Sequence, residues 1–235
     1  MFAPEEIIES SQILYEDNHL IVINKKSSEI VQGDKTGDLP LSEKVKNFIK
    51  QRDNKPGNVF CGVIHRLDRP VSGIVIFAKT SKALSRMNEL FRDKTIQKTY
   101  WAVVKNKPTK NHQRLTHYLI KNEKTNTSKA FNEEKKGSLK AELEYTLIAS
   151  ISNYHLLEVN LFTGRHHQIR CQLSAIGCPI KGDIKYGFDR TNPNGSIHLH
   201  SYKTEFIHPI KNEKISVTCK PQTNDTVWNE LIKLV

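Results

Sequence analysis

The segment from Val63 to Lys79 carries a carboxylate in a setting suited to chemistry. It reads VIHRLDRPVSGIVIFAK, so Asp68 lies between an apolar entry and a turn, with Arg66 and Arg69 as neighbours. Nearby guanidinium groups lower the pKa of a carboxyl by about 1–3 and keep it ionised. An ionised carboxylate can act as a nucleophile or as a base. A turn aspartate can also simply cap the backbone, so this segment alone leaves both interpretations open.

A second polar cluster lies in LFTGRHHQIRCQLSAIGCPIKGDIKYG, residues 161 to 187. Thr163-Gly164 breaks a strand, and the apolar spacing predicts a helix from about Arg165 to Ala175 with Gly177 as its C-cap. The first N–H groups of a helix favour anions. Phosphate or carboxylate binding is therefore one interpretation, and a charged, solvated helix face is the other. The polar residues at the start of the predicted helix are Arg165, His166, His167, Gln168 and Arg170.

The remaining elements are mostly strands, predicted from two-residue alternation and β-branched content. Helices are predicted after Ser81 as an N-cap and near Thr226–Lys233 after an Asp225 cap. Because strands dominate and do not alternate regularly with helices, the sequence predicts an α+β fold with a mostly antiparallel sheet. The predicted strands are Leu20–Ile23, Gly73–Ala78, Lys98–Val104, Leu115–Ile120, Ala141–Ala149, Tyr154–Leu161, His198–Phe206 and Ile215–Cys219.

The charge of the chain is concentrated in one stretch. The 235 residues include 36 Lys+Arg and 25 Asp+Glu, giving a formal charge of +11. Between Lys79 and Lys140 there are sixteen basic and five acidic residues, so this stretch holds the whole excess. A concentrated basic region attracts polyanions, although a solvated lysine-rich face is the alternative.

Composition also excludes several classes of protein. The longest apolar runs are five residues, too short for a transmembrane helix, and the N-terminus lacks the apolar region of a secretory signal. The four cysteines, at positions 61, 171, 178 and 219, have no C-x-x-C spacing. We expect reduced thiols in a cytoplasmic protein without membrane contact.

Taken together, these segments resemble the RluA-type RNA pseudouridine synthases. HRLDRPVSGIVIFAK resembles the family's catalytic signature, and the other matching segments follow in the family's order. One departure is visible, because Lys26-Ser27-Ser28 stands where the family usually has Pro-x-Gly. The other segments are ILYEDNHLIVINK (13–25), IQKTYWAVV (96–104), LEVNLFTGRHHQIRCQLSAIGCPIKGDIKYG (157–187) and HLHSYKTEFIHP (198–209).

The resemblance implies a fold and a set of roles. We expect one catalytic domain over residues 1–235, with a mostly antiparallel mixed sheet, flanking helices and a central RNA-binding cleft. Because the pattern begins near Ile13, no S4 RNA-binding domain is expected. By resemblance, Asp68 is the catalytic aspartate, Tyr100 the active-site tyrosine, and Arg170 the arginine that pairs with the aspartate. RNA contacts are expected from His65, Arg66, Arg69, Arg165, His166 and Gln168.

The resemblance also implies an activity: isomerisation of specific uridines in structured RNA to pseudouridine. The expected substrate is ribosomal RNA, with the 23S molecule favoured, or transfer RNA, or both. No cofactor or metal is expected, and the protein is expected to be a monomer. Two alternatives are a non-catalytic RNA-binding protein on the same fold and a metal-dependent hydrolase. The hydrolase would draw its ligands from His198, His200, His65, His166, His167, Asp68 and Asp183.

Overall fold

The computed structural model describes residues 2–221 and 224–235. It is a mixed α+β fold with a large, mostly antiparallel sheet and few helices, which confirms the predicted fold class. The chain forms two compact units. The first unit comprises Met1–Ile96 and Lys203–Cys219, and the second comprises Gln97–Tyr202 and Lys220–Val235.

The described residues contain four α-helices and eleven strands. The helices are α1 (Leu41–Arg52), α2 (Ser81–Arg92), α3 (Gln168–Ala175) and α4 (Thr226–Ile232). The strands are β1 (Ile13–Glu16), β2 (Leu20–Lys25), β3 (Gly62–Val63), β4 (Ser72–Ala78), β5 (Gln97–Val104), β6 (His112–Asn122), β7 (Thr127–Phe131), β8 (Leu139–Ile151), β9 (Tyr154–Leu161), β10 (Leu199–Ile207) and β11 (Lys214–Thr218). Each of the eight predicted strands is present, with bounds that shift by a few residues.

The first unit is built on two largely apolar, buried strands, β2 and β4. β2 pairs antiparallel with both β1 and β4, and β3 pairs with the end of β4. Leu20, Val22, Ile74 and Ile76 form a buried cluster against which α2 packs through Met87. β-Branched residues dominate both strands because the pleated surface accommodates them well. This core supports the loop between β3 and β4.

The second unit is an antiparallel series of strands in the order β5, β9, β8, β6 and β7. The alternation predicted for β8 is confirmed, since Ala141, Leu143 and Tyr145 are buried while Glu142 and Glu144 between them are partly exposed. Ala141 packs with Cys171 of α3 in one cluster. The buried face of β8 therefore lies on the side of the sheet that carries α3.

Two helix predictions need correction, and one helix was not predicted. α2 begins at Ser81, but its N-cap is Thr80, whose hydroxyl accepts the Ala83 N–H at 3.2 Å. α3 begins at Gln168, not at Arg165, because His167 adopts a left-handed backbone with φ of 51°. α1 was not predicted, since it starts after a proline without a side-chain cap and so lacks a local start signal. The prediction of α4 with an Asp225 cap is confirmed.

Two expectations from composition can be compared with the described residues. None of the helices there is long and apolar enough to cross a bilayer. All four cysteines are buried thiols. Burial raises the pKa of the Cys61 thiol to about 12, so this thiol stays protonated at neutral pH.

Candidate active site

Asp68 lies in the loop between β3 and β4, in the first unit. Its side chain is half-buried. Val71, three residues further along the chain, donates its N–H to the Asp68 carbonyl at 3.0 Å. Leu67 is buried beneath the loop. The chain therefore turns tightly just after Asp68, as predicted from the sequence, and leaves the carboxylate partly accessible.

A buried lysine holds this turn from below. Lys25 ends β2 and is fully buried, and its ammonium donates to the carbonyls of Lys26 at 2.9 Å, Arg69 at 3.2 Å and Val71 at 2.6 Å. Burial lowers the pKa of Lys25 to about 8, although the negative charges of Glu29 and Asp68 oppose this effect. The ammonium is thus still largely protonated at neutral pH, with three acceptors for its three N–H groups.

The residues next to Asp68 differ in what they contact. The Arg69 guanidinium pairs with Asp38 and donates to the Ser28 carbonyl at 3.1 Å, so it is not directed at Asp68 as its position in the sequence suggested. Arg66 is exposed and forms no ion pair with the residues that the structure describes. Lys25, in the same unit, is close enough to Asp68 for the two charges to interact.

The departure from Pro-x-Gly has a visible consequence at Ser28. Ser28 has a φ of 75°, a left-handed conformation that glycine adopts at lower cost. Its N–H donates to the Arg69 carbonyl at 2.8 Å, and its own carbonyl accepts from Arg69. The segment therefore keeps the backbone shape typical of glycine without having one, and it braces the Asp68 loop through these two bonds.

His65, three residues before Asp68, is directed into the first unit. Its Nε2 accepts the backbone N–H of Ile76 at 3.0 Å, and its ring stacks on Phe91 at 4.9 Å between centroids. The RNA contact expected of His65 and Arg66 stays a prediction. The imidazole nevertheless has an evident internal role.

In the second unit, Tyr100 and Lys98 lie two apart on β5 and so face the same side of the sheet. Tyr100 is 7% exposed and opposite Val159 of β9. The Lys98 ammonium lies beside Gly164, since a Cβ at Gly164 would be 3.6 Å from Nζ. Burial lowers the pKa of Lys98. A basic group and a phenol thus share the sheet face next to the Thr-Gly-Arg turn.

Arg170 forms a bidentate ion pair inside the second unit. Its Nε and Nη2 donate to the two carboxylate oxygens of Asp183 at 2.6 and 2.8 Å. Both side chains are almost fully buried, at 4% and 1% exposure. The Tyr186 ring lies 5.0 Å below the guanidinium carbon. This geometry fixes the plane of the guanidinium, because a forked pair specifies orientation as well as distance.

The residues that precede α3 are held by hydrogen bonds to Ser128 of β7 and to Tyr186. The Tyr186 hydroxyl accepts the Ser128 N–H at 2.7 Å and lies 2.9 Å from His167 Nδ1. His166 Nδ1 is 3.0 Å from the Ser128 hydroxyl. These bonds explain why the chain remains non-helical here, since they stabilise the left-handed His167 ahead of the helix.

Gln168 and Arg165 brace the same turn. The buried Gln168 side chain accepts from the Thr163 hydroxyl and the Arg165 N–H at 2.8 and 2.9 Å, and donates to the Glu142 carbonyl at 3.0 Å. Arg165 Nε donates to the Lys140 carbonyl at 3.0 Å. RNA contacts by Arg165, His166 and Gln168 stay a prediction, and the structure gives each of them an internal bond.

The histidines proposed as metal ligands in the hydrolase alternative lie in other settings. His198 Nε2 is 3.2 Å from the Lys181 ammonium and 3.3 Å from a carboxylate oxygen of Asp225, and its ring stacks on Trp228. In the part of the chain that the structure describes, no three His, Cys, Asp or Glu side chains are grouped as metal ligands would be.

Sequence reasoning missed Lys25 and Tyr186, and it considered Asp183 only as a metal ligand of the hydrolase alternative, not as the partner of Arg170. Each of the three lay within a segment that resembled the family. A lysine at the end of the mostly apolar strand LIVINK was an available signal for Lys25, because a lysine is rarely buried without partners. Asp183 and Tyr186 had no comparable local signal.

Comparison with known proteins identifies the same family that the sequence motifs resemble. The family model described as RNA pseudouridylate synthase matches residues 19–175. The ribosomal large subunit pseudouridine synthase C of Vibrio cholerae is 31% identical over 211 residues, which are 87% of this chain and 64% of that protein. The tRNA pseudouridine synthase C of Haemophilus influenzae is 31% identical, over 94% of this chain and 96% of that protein.

A solved structure supports the fold. Human RNA Pseudouridylate Synthase Domain Containing 4 superposes with a TM-score of 0.75 at 22% identity, covering 91% of this chain and 89% of that one. This chain spans somewhat less than two thirds of the Vibrio relative's length. The family match extends over most of the chain and includes the Asp68, Tyr100 and Arg170 motifs. The chain therefore belongs to the RNA pseudouridylate synthase family, as the resemblance of its motifs to RluA-type enzymes predicted.

Proposed function

We propose that this protein isomerises specific uridines in structured RNA to pseudouridine, with Asp68 as the catalytic carboxylate. The observation that carries the proposal is the setting of Asp68. It is a half-buried acid on a tight turn whose backbone is held by the Lys25 ammonium, within a chain of this family. Rigid placement with partial access is what a group that attacks or deprotonates a bound nucleotide requires.

The reaction needs no group from outside. The C1′–N1 glycosidic bond breaks, the uracil rotates, and a C1′–C5 bond forms, after which C5 loses its proton and N1, no longer bonded to the sugar, gains one. Nothing is oxidised or reduced, so we propose that no cofactor takes part. Asp68 either attacks C1′ or removes the C2′ proton, and both routes require its ionised form.

Arg170 and Tyr100 complete the proposed catalytic set. Asp183 uses two of the five N–H donors of Arg170, and an ion pair with Asp68 would use others. By fixing the guanidinium plane, Asp183 would aim that pair. Tyr100 would stack on the target uracil and assist removal of the C5 proton. The base must leave its helix to reach these groups, at a cost of a few kcal/mol.

Ribosomal RNA is the proposed substrate, with transfer RNA as the second. The names of the two relatives described above refer to these two classes of RNA. The basic stretch from Lys79 to Lys140 would contact phosphates and read the fold of the RNA mostly by shape. We further propose that the protein acts as a monomer in the cytoplasm.

The test is pseudouridine mapping with a carbodiimide reagent on rRNA and tRNA transcripts incubated with the purified protein. We expect new modified positions with the wild type and none with Asp68→Asn, which is nearly equal in size but uncharged. RNA affinity should be similar for both proteins. The control is Asp189→Asn, which removes an exposed carboxylate of the second unit.

Two results would contradict the proposal. If Asp68→Asn modifies RNA at the wild-type rate, Asp68 is not the catalytic group. If the wild type binds RNA tightly but leaves every transcript unmodified, the protein is an RNA-binding member of the fold without this activity.

A further inference from the structure

His65 completes the pairing of a strand that ends early. β3 has two residues, and they pair with Ala78 and Phe77 of β4. Amide groups two residues apart on a strand point to the same edge of the strand. The Ile76 N–H, two residues from Ala78, therefore points to the edge of β4 along which β3 lies. Beyond Val63 no backbone carbonyl of β3 remains to accept it. The His65 side chain does so instead, with Nε2 at 3.0 Å from the Ile76 nitrogen.

The His65 ring is also fixed from a second element. It stacks on Phe91 of α2, with centroids 4.9 Å apart and planes inclined by 26°. Phe91 packs against the apolar cluster of the first unit, so this contact ties the ring to the core. To accept from Ile76, Nε2 must be unprotonated, and the neutral ring then carries its proton on Nδ1. The imidazole thus acts as a fixed acceptor.

Along the chain, Asp68 lies midway between His65 and Val71, the residue whose carbonyl accepts from the Lys25 ammonium. His65 is three residues before Asp68, and Val71, whose carbonyl accepts from Lys25 at 2.6 Å, is three residues after it. The two bonds hold the two ends of the loop. Displacement of a catalytic group by about 1 Å can cost about 100-fold in rate, so loss of either bond should reduce turnover.

We infer that His65 is a positioning residue for the Asp68 loop, acting through Nε2 as an acceptor for the backbone of β4. The inference deepens the proposed function and rests on it, because it concerns the group to which that function assigns catalysis. It differs from the expectation drawn from sequence, in which His65 contacts RNA.

The side-chain amides offer a matched pair of variants. The carbonyl oxygen of Gln can occupy the place of Nε2, whereas that of Asn falls nearer to Nδ1 and does not reach Ile76. We expect His65→Gln to keep kcat within about 3-fold of the wild type, and His65→Asn to lower it by about 10- to 100-fold. KM for RNA should change by less than about 2-fold in both. His65→Phe retains the stack on Phe91 without an acceptor and should resemble His65→Asn.

A second measurement does not depend on activity. Hydrogen exchange of the Ile76 amide should be faster in the Asn and Phe variants than in the wild type, and protected again in the Gln variant. This pattern would support the positioning bond even if the wild type made no pseudouridine, in which case only the proposed function would fail.

Three outcomes would overturn the inference. One is equal kcat in the Gln and Asn variants with weaker RNA binding in both, which would make His65 an RNA contact. Another is an unchanged kcat in all three variants. The third is Ile76 exchange that is equally fast with Gln and with Asn.

Discussion

The buried Arg170–Asp183 pair provides the sharpest test of how the second unit is held together. Asp183→Asn preserves the size of the side chain but replaces one carboxylate oxygen by an NH₂ group, which faces a guanidinium N–H instead of accepting from it. Both partners are almost wholly removed from water, and both bonds are short. Breaking one side of such a pair costs about 3–5 kcal/mol in the free energy of unfolding. That is a large share of the about 5–15 kcal/mol that stabilises a typical protein.

The assay is urea unfolding followed by tryptophan fluorescence. The chain has two tryptophans, Trp101 and Trp228, and both belong to the second unit, so the signal reports on the unit that contains the pair. Asp189→Asn is the matched control, because Asp189 pairs with Lys105 in an exposed position, where solvent screens the attraction. We expect no measurable change in stability for the control.

A double replacement distinguishes the cost of leaving one buried charge without its partner from the cost of removing the pair altogether. Arg170→Met with Asp183→Leu removes both charges, and apolar replacement of a buried pair is often close to neutral. The double variant should therefore be more stable than Asp183→Asn. A loss below about 1 kcal/mol for Asp183→Asn would refute the reasoning, because it would show that the buried guanidinium does not depend on this carboxylate.

Two further predictions concern other buried charges. Lys25→Met should lower kcat by about 100-fold, because three backbone carbonyls lose their donor. Lys26→Met, at an exposed neighbouring position, should leave kcat unchanged. Steady-state kinetics on an RNA transcript measures both variants, and equal effects would contradict this role of Lys25. Burial alone would raise the pKa of Asp225, but its bonds to His198 and to the start of α4, together with the Lys181 ammonium, hold it well below its usual range. Because the folded-state pKa is lowered, the thermal stability of the wild type should exceed that of Asp225→Asn at neutral pH. The difference should begin to shrink only below about pH 4, where the unfolded-state carboxyl takes up a proton, and should disappear as the pH falls through the lowered folded-state pKa. A difference already lost at about pH 4 would contradict this assignment.

Much of the fold could be predicted because its signals are local. Alternation of apolar and polar residues in β8 reports which face is buried without reference to any other strand. The Asp225 cap of α4 depends only on residues that follow it directly. The start of α3 could not be predicted in this way. His166 and His167 lie in a helical pattern, and their non-helical backbone depends on Ser128 and Tyr186, which are distant in the chain.

The features of the candidate site can likewise be divided into those that local sequence determines and those that depend on tertiary structure. The sequence by itself determined the family, the turn that carries Asp68, and the residue types available for chemistry, because the motifs occur in a fixed order and each is short. The tertiary structure alone decided which charges meet. Lys25 donates to Val71 across 46 positions, and Arg170 pairs with Asp183 across 13. Such contacts follow from strand register and from the burial of each charge, and a charge removed from water must find whatever partner the folded chain brings to it.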